Sequence, residues 1–279
     1  SQINTARGTG EYAVSAENLF GGDKKEGGVA GSLRVLMGSA TQVVPAYIKT
    51  LMGGRVPDFR GVTTLFFDGL VTSMNPYPKK WECRIRRTTA GWDGDVWQPS
   101  LAAIWMRDGT IKAMNGTHIL YEAFTNRDWG RGLSRDWIDE TTWLKAAETL
   151  YNEGFGLCLR YNRQSELSGF IQEVVDHVGG SIYPDRSTGR LALSLLRNDY
   201  DLDDIPLFTY DSGLIALNDV ETASQEDLVN EVIVKWTDPI TKTDRSARVQ
   251  NLALNQAMGA SNSTTRTYAG VPDVDLALR

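Results

Sequence analysis

The chain has 279 residues, 41% of them hydrophobic, enough for more than one packed core. Its formal net charge of -6 argues against wrapping a nucleic-acid backbone, which takes clustered Lys and Arg to displace condensed counterions. No apolar run approaches the ~18 residues of a membrane span and no basic-then-apolar leader opens the chain, so a protein without membrane insertion is expected.

Ser1 stands without an initiator Met and strand-like material follows at Glu11 to Ser15, as expected of an excised piece or of a chain that has lost residues. Gly21, Gly22, Gly27, Gly28 and Gly31 surround a charged run and read as a loop emptying into a strand from Ser32 to Met37. A phosphate cradle is not expected there, because no Gly-Lys-Ser/Thr and no helix start follow. Gln42 to Met52 reads as a short helix interrupted by Pro45, and Val62 to Val71 as a β-favouring run. After a turn at Asn75 to Pro78, Trp81, Cys83 and Ile85 alternate with Glu82, Arg84 and Arg86, the pattern of a strand with one buried face. Thr88 to Ile111, with Trp92, Trp97 and Trp105 among Gly, Asp and Pro, reads as an irregular loop, and a domain boundary is placed near Thr110.

From Asn115 to Gly156 the pattern changes to two helices joined by a glycine-bearing, aromatic loop. In the first, Thr117 is a candidate N-cap, with Ile119, Leu120, Ala123 and Phe124 at helical spacing and Asn126 and Gly130 ending the run. In the second, Asp136 or Ser134 can cap, Asp139 and Glu140 suit the electropositive first turn, and Trp143, Ala146, Ala147 and Leu150 form the apolar stripe before Gly154. A strand from Leu157 to Tyr161, a helix capped by Ser165 with Phe170, Ile171, Val174, Val175 and Val178 on one face, and a hairpin of Ser181 to Tyr183 with Arg190 to Leu196 then read as a β-α-β-β unit. Gly213 to Glu221, Asn230 to Trp236 and Arg245 to Gln250 are expected as strands, and Ala260 to Thr265 as a small polar tail.

The fold class expected is α+β, predominantly β. Residues 1–110 form a first β domain, 111–205 the helical pair with the β-α-β-β unit, and 206–279 a second β region that completes or pairs with the first.

Several constellations resemble sites. Asp199, Asp201, Asp203 and Asp204 resemble the start of a calcium loop, but Asp204 stands where the loop glycine belongs and Tyr210 where the bidentate Glu belongs, so a solvated acidic loop is expected. Cys83, His118, Cys158 and His177 lack the short pair spacings of a zinc site; the two cysteines are expected as core thiols and the histidines as structural. Glu122, Asp128, Asp136, Asp139, Glu140 and Glu153 lie near Trp129, Trp137 and Trp143, as a glycosidase's carboxylates and sugar-stacking rings would. Helix capping accounts for part of that set, and Gly-x-Ser-x-Gly, His-Glu-x-x-His and Cys-x-x-Cys do not occur. The sequons at Asn115 and Asn262 are read as coincidence. No catalytic, cofactor-binding or metal residue is assigned, and no enzyme is expected.

Four stretches taken in order carry a resemblance: Leu19 to Gly38, Pro57 to Arg87, the pair ILYEAFTNRDWGRGL and WLKAAETLYNEGFG, and Asp227 to Pro239 with its DLVNEVIVKWTDP. Their order and coverage resemble the central tail hub and host-specificity (tip attachment, protein J-like) family of long-tailed bacteriophages and gene transfer agents. The resemblance implies a virion structural protein, assembled in the bacterial cytoplasm, that closes the distal end of the tail tube as a trimer built on β-barrel-like hub domains. It implies tail-tube and other tail-tip proteins as partners, with DNA and the tape-measure protein passing through without sequence-specific binding. It also implies interfaces made by strands and by exposed aromatics such as Trp92, Trp97 and Trp129, and receptor contact by regions beyond Arg279. A tail-associated carbohydrate-binding or glycan-cleaving module is the alternative.

Overall fold

The computed structural model describes residues 8–22, 25–71, 81, 96–161, 166–201, 203, 205–216 and 228–279. The chain divides into two compact units, Ser1–Gly94 and Asp95–Arg279. Its class is mixed α+β with small sheets, and no closed barrel forms among the described residues.

In the first unit β1 (Gly10–Ala16), β2 (Val29–Leu36) and β3 (Thr64–Val71) form an antiparallel sheet in that order. Alternation on β2 turns Val29, Leu33 and Val35 inward against Val14 and Phe67. Gly31 faces Gly69 across the β2–β3 pair. The two backbones approach so closely there that a Cβ on Gly31 would lie 2.3 Å from the Asp68 carbonyl oxygen. Gly31→Ala is therefore expected to cost this unit about 2 kcal/mol, read as faster proteolysis at residues 8–71; an unchanged cleavage rate would show that the strands can part.

Helix α1 (Ala46–Leu51) begins after Pro45, which serves as its N-cap. The expected interruption is corrected: proline at a helix start withholds an N–H that has no intrahelical partner anyway. Val44 and Ile48 turn inward against Leu36, Phe59 and Phe66. Gln42 ties the flanking loops, its Oε1 accepting from Gly38 N–H at 2.6 Å and its Nε2 donating to the Asp58 and Phe59 carbonyls at 2.9 and 2.8 Å. The alternating strand expected around Cys83 and Ile85, and Trp92, lie outside the described residues.

The second unit opens where a loop was expected. Helix α2 (Pro99–Ala102) leads into β4 (Ala103–Met106), which turns back at Arg107–Thr110 into β5 (Ile111–Asn115). Thr110 thus sits in a hairpin turn, inside the second unit. Period-2 alternation was present here, with Ile104, Met106, Ile111 and Ala113 all facing one core, but the interspersed tryptophans obscured it.

Helix α3 (Gly116–Thr125), a short 3-10 turn (Arg135–Trp137) and α4 (Glu140–Asn152) follow. Both caps differ from expectation. Asn115 caps α3, its Oδ1 accepting from Thr117 N–H at 3.0 Å, and Asp139 caps α4 by accepting from Thr141 N–H, while Ser134 caps the 3-10 turn. Each correction moves the cap to the residue whose backbone is still extended, as an N-cap must be.

Strand β6 (Gly156–Leu157) is shorter than expected and pairs with β5. Helix α5 (Leu167–Val178) buries Phe170, Ile171, Val174, Val175 and Val178 and ends at left-handed Gly179. Its N-cap is Glu166, with no side-chain bond; Ser165 lies outside the described residues. β7 (Gly180–Pro184) and β8 (Leu191–Leu195) then form their own hairpin. The expected β-α-β-β unit is therefore split, because β6 satisfies its backbone on β5.

Gly213–Ala216 is not strand, and 217–221 lie outside the described residues. β9 (Glu231–Thr237) is central in the last sheet, with β10 (Asp244–Gln250) antiparallel on one side. Helix α6 (Leu252–Met258) carries the chain to β11 (Ser263–Thr267), parallel to β9 on the other side. The tail expected at Ala260 to Thr265 is thus partly an edge strand. α7 (Val274–Ala277) closes the order.

Two cores hold this unit. Helices α3, α4 and α5 pack with β8 around Leu120, Trp143, Leu150, Val174 and Val178. The β4–β5 ribbon packs its other face on Trp236, Ala247, Val271 and Leu276. No helix among the described residues is long and apolar enough to cross a membrane.

Candidate functional site

The acids and rings singled out between Asn115 and Gly156 converge, but on one another. Trp97 is buried at 9% exposure, lies flat on Tyr121 at 4.5 Å between ring centres, and donates its Nε1–H to Glu140 Oε1 at 2.7 Å. Trp143 meets Tyr121 and Phe124 edge-on at 6.0 and 5.9 Å and donates its Nε1–H to the Leu191 carbonyl at 2.8 Å. Trp129, half-buried, packs on Tyr161 and Phe170. Trp97 and Trp129 are thus corrected from exposed interface aromatics to rings packed on the helical core, Trp97 because Glu140 lets its indole bury with a satisfied N–H and Trp129 because Tyr161 and Phe170 offer it aromatic faces. Of the described tryptophans Trp105 and Trp137 are the most exposed, at 58% each, with Lys112 Nζ 5.7 Å from the Trp105 ring centre.

The carboxylates have separate occupations. Asp139 caps α4, Asp136 accepts from Ser134, and Glu140 holds Trp97. Glu153 takes a two-pronged bond from Arg197 at 2.7 and 2.9 Å, which raises the guanidinium pKa further. Glu122 and Asp128 are partnered as well.

The histidines are structural. His118 Nε2–H donates to the Gln98 carbonyl at 3.0 Å, while Nδ1 is buried with no hydrogen-bond partner. Burial pushes its pKa below the ordinary value, bonds to the Gln98 and Trp97 backbone opposing. The unfolded chain therefore binds a proton, near pH 6.5 and below, that the fold refuses. Stability is full above that pH and falls as acid drives it through the depressed folded value. His118→Gln is expected to flatten the decline of the urea midpoint between pH 7.5 and 5.5; an equal slope in the variant would assign that decline to other groups. His177 Nδ1–H donates to the Glu173 carbonyl at 2.6 Å and Nε2 accepts from Gly270 N–H at 2.9 Å, pinning α5 to the chain before α7.

Cys158 is a free thiol, and burial, aided by the nearby charge of Asp273, pushes its pKa up to about 11. That disfavours the nucleophilic thiolate. Cys83 lies outside the described residues. Asp201 accepts from Asp203 N–H at 3.0 Å, Asp199 stands 3.6 Å from Lys145, and Asp204 is not described. No group of three metal-ligating side chains occurs among the described residues.

What the sequence reading did not single out is an apolar segment left outside both cores. In the second unit Tyr200, Leu207 (82% exposed), Phe208, Tyr210 and Ile215 (94%) face solvent. In the first unit Val43, Tyr47, Leu51 (76%) and Met52 line the outer side of α1. The signal in the second unit was an aperiodic cluster of apolar residues beside Pro206 and several aspartates; in the first it was apolar residues at spacing of four on both sides of one helix. No protein-family model matches this chain, and no curated protein matches its sequence.

Proposed function

We propose that this chain is a structural component of a phage or prophage tail tip: a trimeric hub that closes the distal end of the tail tube, scaffolds host-attachment parts and lets DNA pass, without catalysis. One observation carries the non-catalytic part. The acids and rings that would make a glycan-cleaving site are committed to caps, an ion pair and indole contacts within the helical core. The tail-hub part rests on the ordered resemblance of the four sequence stretches. Under it the small sheets are pieces of barrel-like hub domains, and closure would recruit further strands at the edges of β1 and β3. A net acidic chain also suits a passage that must release DNA.

The test is localisation and assembly. Antibody against the chain should decorate the tips of tails in electron micrographs, and the chain should co-purify with tail-tube protein. The opposing reading, a glycan-active module, draws on the open rings of Trp105 and Trp137. Reducing ends released from cell-wall polymers, and abolished by Glu140→Gln, would replace the structural reading with that one. Glutamine can still accept the Trp97 N–H, so the substitution leaves the fold in place.

A further inference from the structure

We infer that the segment from Leu196 to Ala216 is an arm that docks on the outer side of α1 in a second copy of this chain. The inference stands on exposed apolar residues and complementary charge, and does not rest on the tail-hub reading. Tyr200, Leu207, Phe208, Tyr210 and Ile215 leave on the order of 800 Å² of side-chain surface in water, about one partner's share of a standard interface. Isolated surface apolar residues need no explanation, but a run of this size marks a contact.

The arm is also shaped. Thr209 and Ser212 cap one another reciprocally, with Thr209 N–H on Ser212 Oγ at 2.7 Å and Ser212 N–H on Thr209 Oγ1 at 3.2 Å, and Gly213 turns the chain at φ 103°. Arg197 anchors its base to Glu153 and to the Val178 carbonyl. Such ordering lowers the entropy lost on docking.

Charge selects the occupant. From Leu196 to Ala216 the sequence carries five aspartates against Arg197 alone, and Arg197 is already neutralised by Glu153. From Val43 to Arg60 it carries Lys49, Arg55 and Arg60 against Asp58 alone, and although Asp58 pairs with Lys49 at 2.8 Å, three cations against one anion leave the stretch net positive. An acidic apolar arm and a basic apolar face thus occur on one chain, each with its large side chains in solvent. Because the two patches differ, the contact is heterologous and closes into a ring where the rotation allows.

Mixing two full-length proteins tests this, one carrying Leu207→Cys and the other Leu51→Cys, both in a Cys83→Ser, Cys158→Ala background. Oxidation of the mixture should give a disulfide-linked species of twice the chain mass. In sedimentation equilibrium, Phe208→Ser with Ile215→Ser should weaken self-association at least tenfold while circular dichroism stays unchanged, since both side chains are exposed and lie outside the cores. Raising the salt from 0.05 to 0.5 M should weaken it too. A chain that stays monomeric at about 100 μM, self-association untouched by the double substitution, or a cross-link that forms within a doubly substituted chain and never between the mixed ones, would each overturn the inference.

Discussion

Trp143→Ala is expected to cost the second unit about 3–5 kcal/mol in urea unfolding followed by circular dichroism. The ring has 0% exposure, touches Tyr121 and Phe124 of α3, and reaches β8 through its bond to the Leu191 carbonyl. Truncation therefore empties the place where three elements meet, and neighbours fixed by their own helices cannot collapse into it. Trp143→Phe separates the two contributions: it refills most of the volume but removes the indole bond to the Leu191 carbonyl, which keeps only the Asp139 N–H at 2.9 Å, a loss of about 1 kcal/mol. A loss for Trp143→Ala below about 1 kcal/mol would mean that the ring is not a core element, and would return it to the list of ligand-stacking rings.

Asn115 carries the second large effect. Its side chain is fully buried and makes three bonds: Oδ1 accepts from Thr117 N–H, and Nδ2 donates to the Leu101 carbonyl at 3.1 Å and the Ala147 carbonyl at 2.8 Å. One amide thus caps α3, holds α2 and fastens α4. Asn115→Ala removes a cap and leaves two buried carbonyls short of a donor, for about 3 kcal/mol. Asn115→Asp keeps the cap acceptor but turns a carboxylate oxygen toward two carbonyls. That favours the protonated form in the fold, so the folded pKa rises above the unfolded value near 3.9 and the deficit against the unsubstituted protein should shrink as pH falls. Thermal melts of both proteins at pH 7.5 and 4.5 measure it. A deficit that is constant with pH would show the amide donors to be dispensable.

The long amphipathic helices were legible in advance. Trp143, Ala146, Ala147 and Leu150 on α4, and Phe170 through Val178 on α5, repeat at the helical period and end at glycines, and these signals are local in sequence. The β7–β8 hairpin was legible for the same reason, since the Pro184 to Gly189 turn carries its own instructions and Asp185 accepts from Ser187 N–H within it. Less legible were β4 and β11. In β4, Trp105 faces solvent between Ile104 and Met106, so a large exposed ring disguised the alternation. In β11, Ser263 to Thr267 has no apolar face at all, and it is a strand because β9 offers a free edge.

The candidate site divides the same way. The gathering of acids and tryptophans near Asn115 to Gly156 was visible from spacing, but their mutual commitment was not. Glu140 is 43 residues from the Trp97 it holds, and Arg197 is 44 from Glu153. By itself, then, the sequence determined which stretches coil, which extend and where most of them stop, because propensity and periodicity act over a few residues. Only the tertiary structure decided which polar group meets which, and which apolar residues are left without a core. Those outcomes depend on buried donors and acceptors finding partners across tens of residues, where the cost of an unmet bond, rather than any local preference, makes the selection.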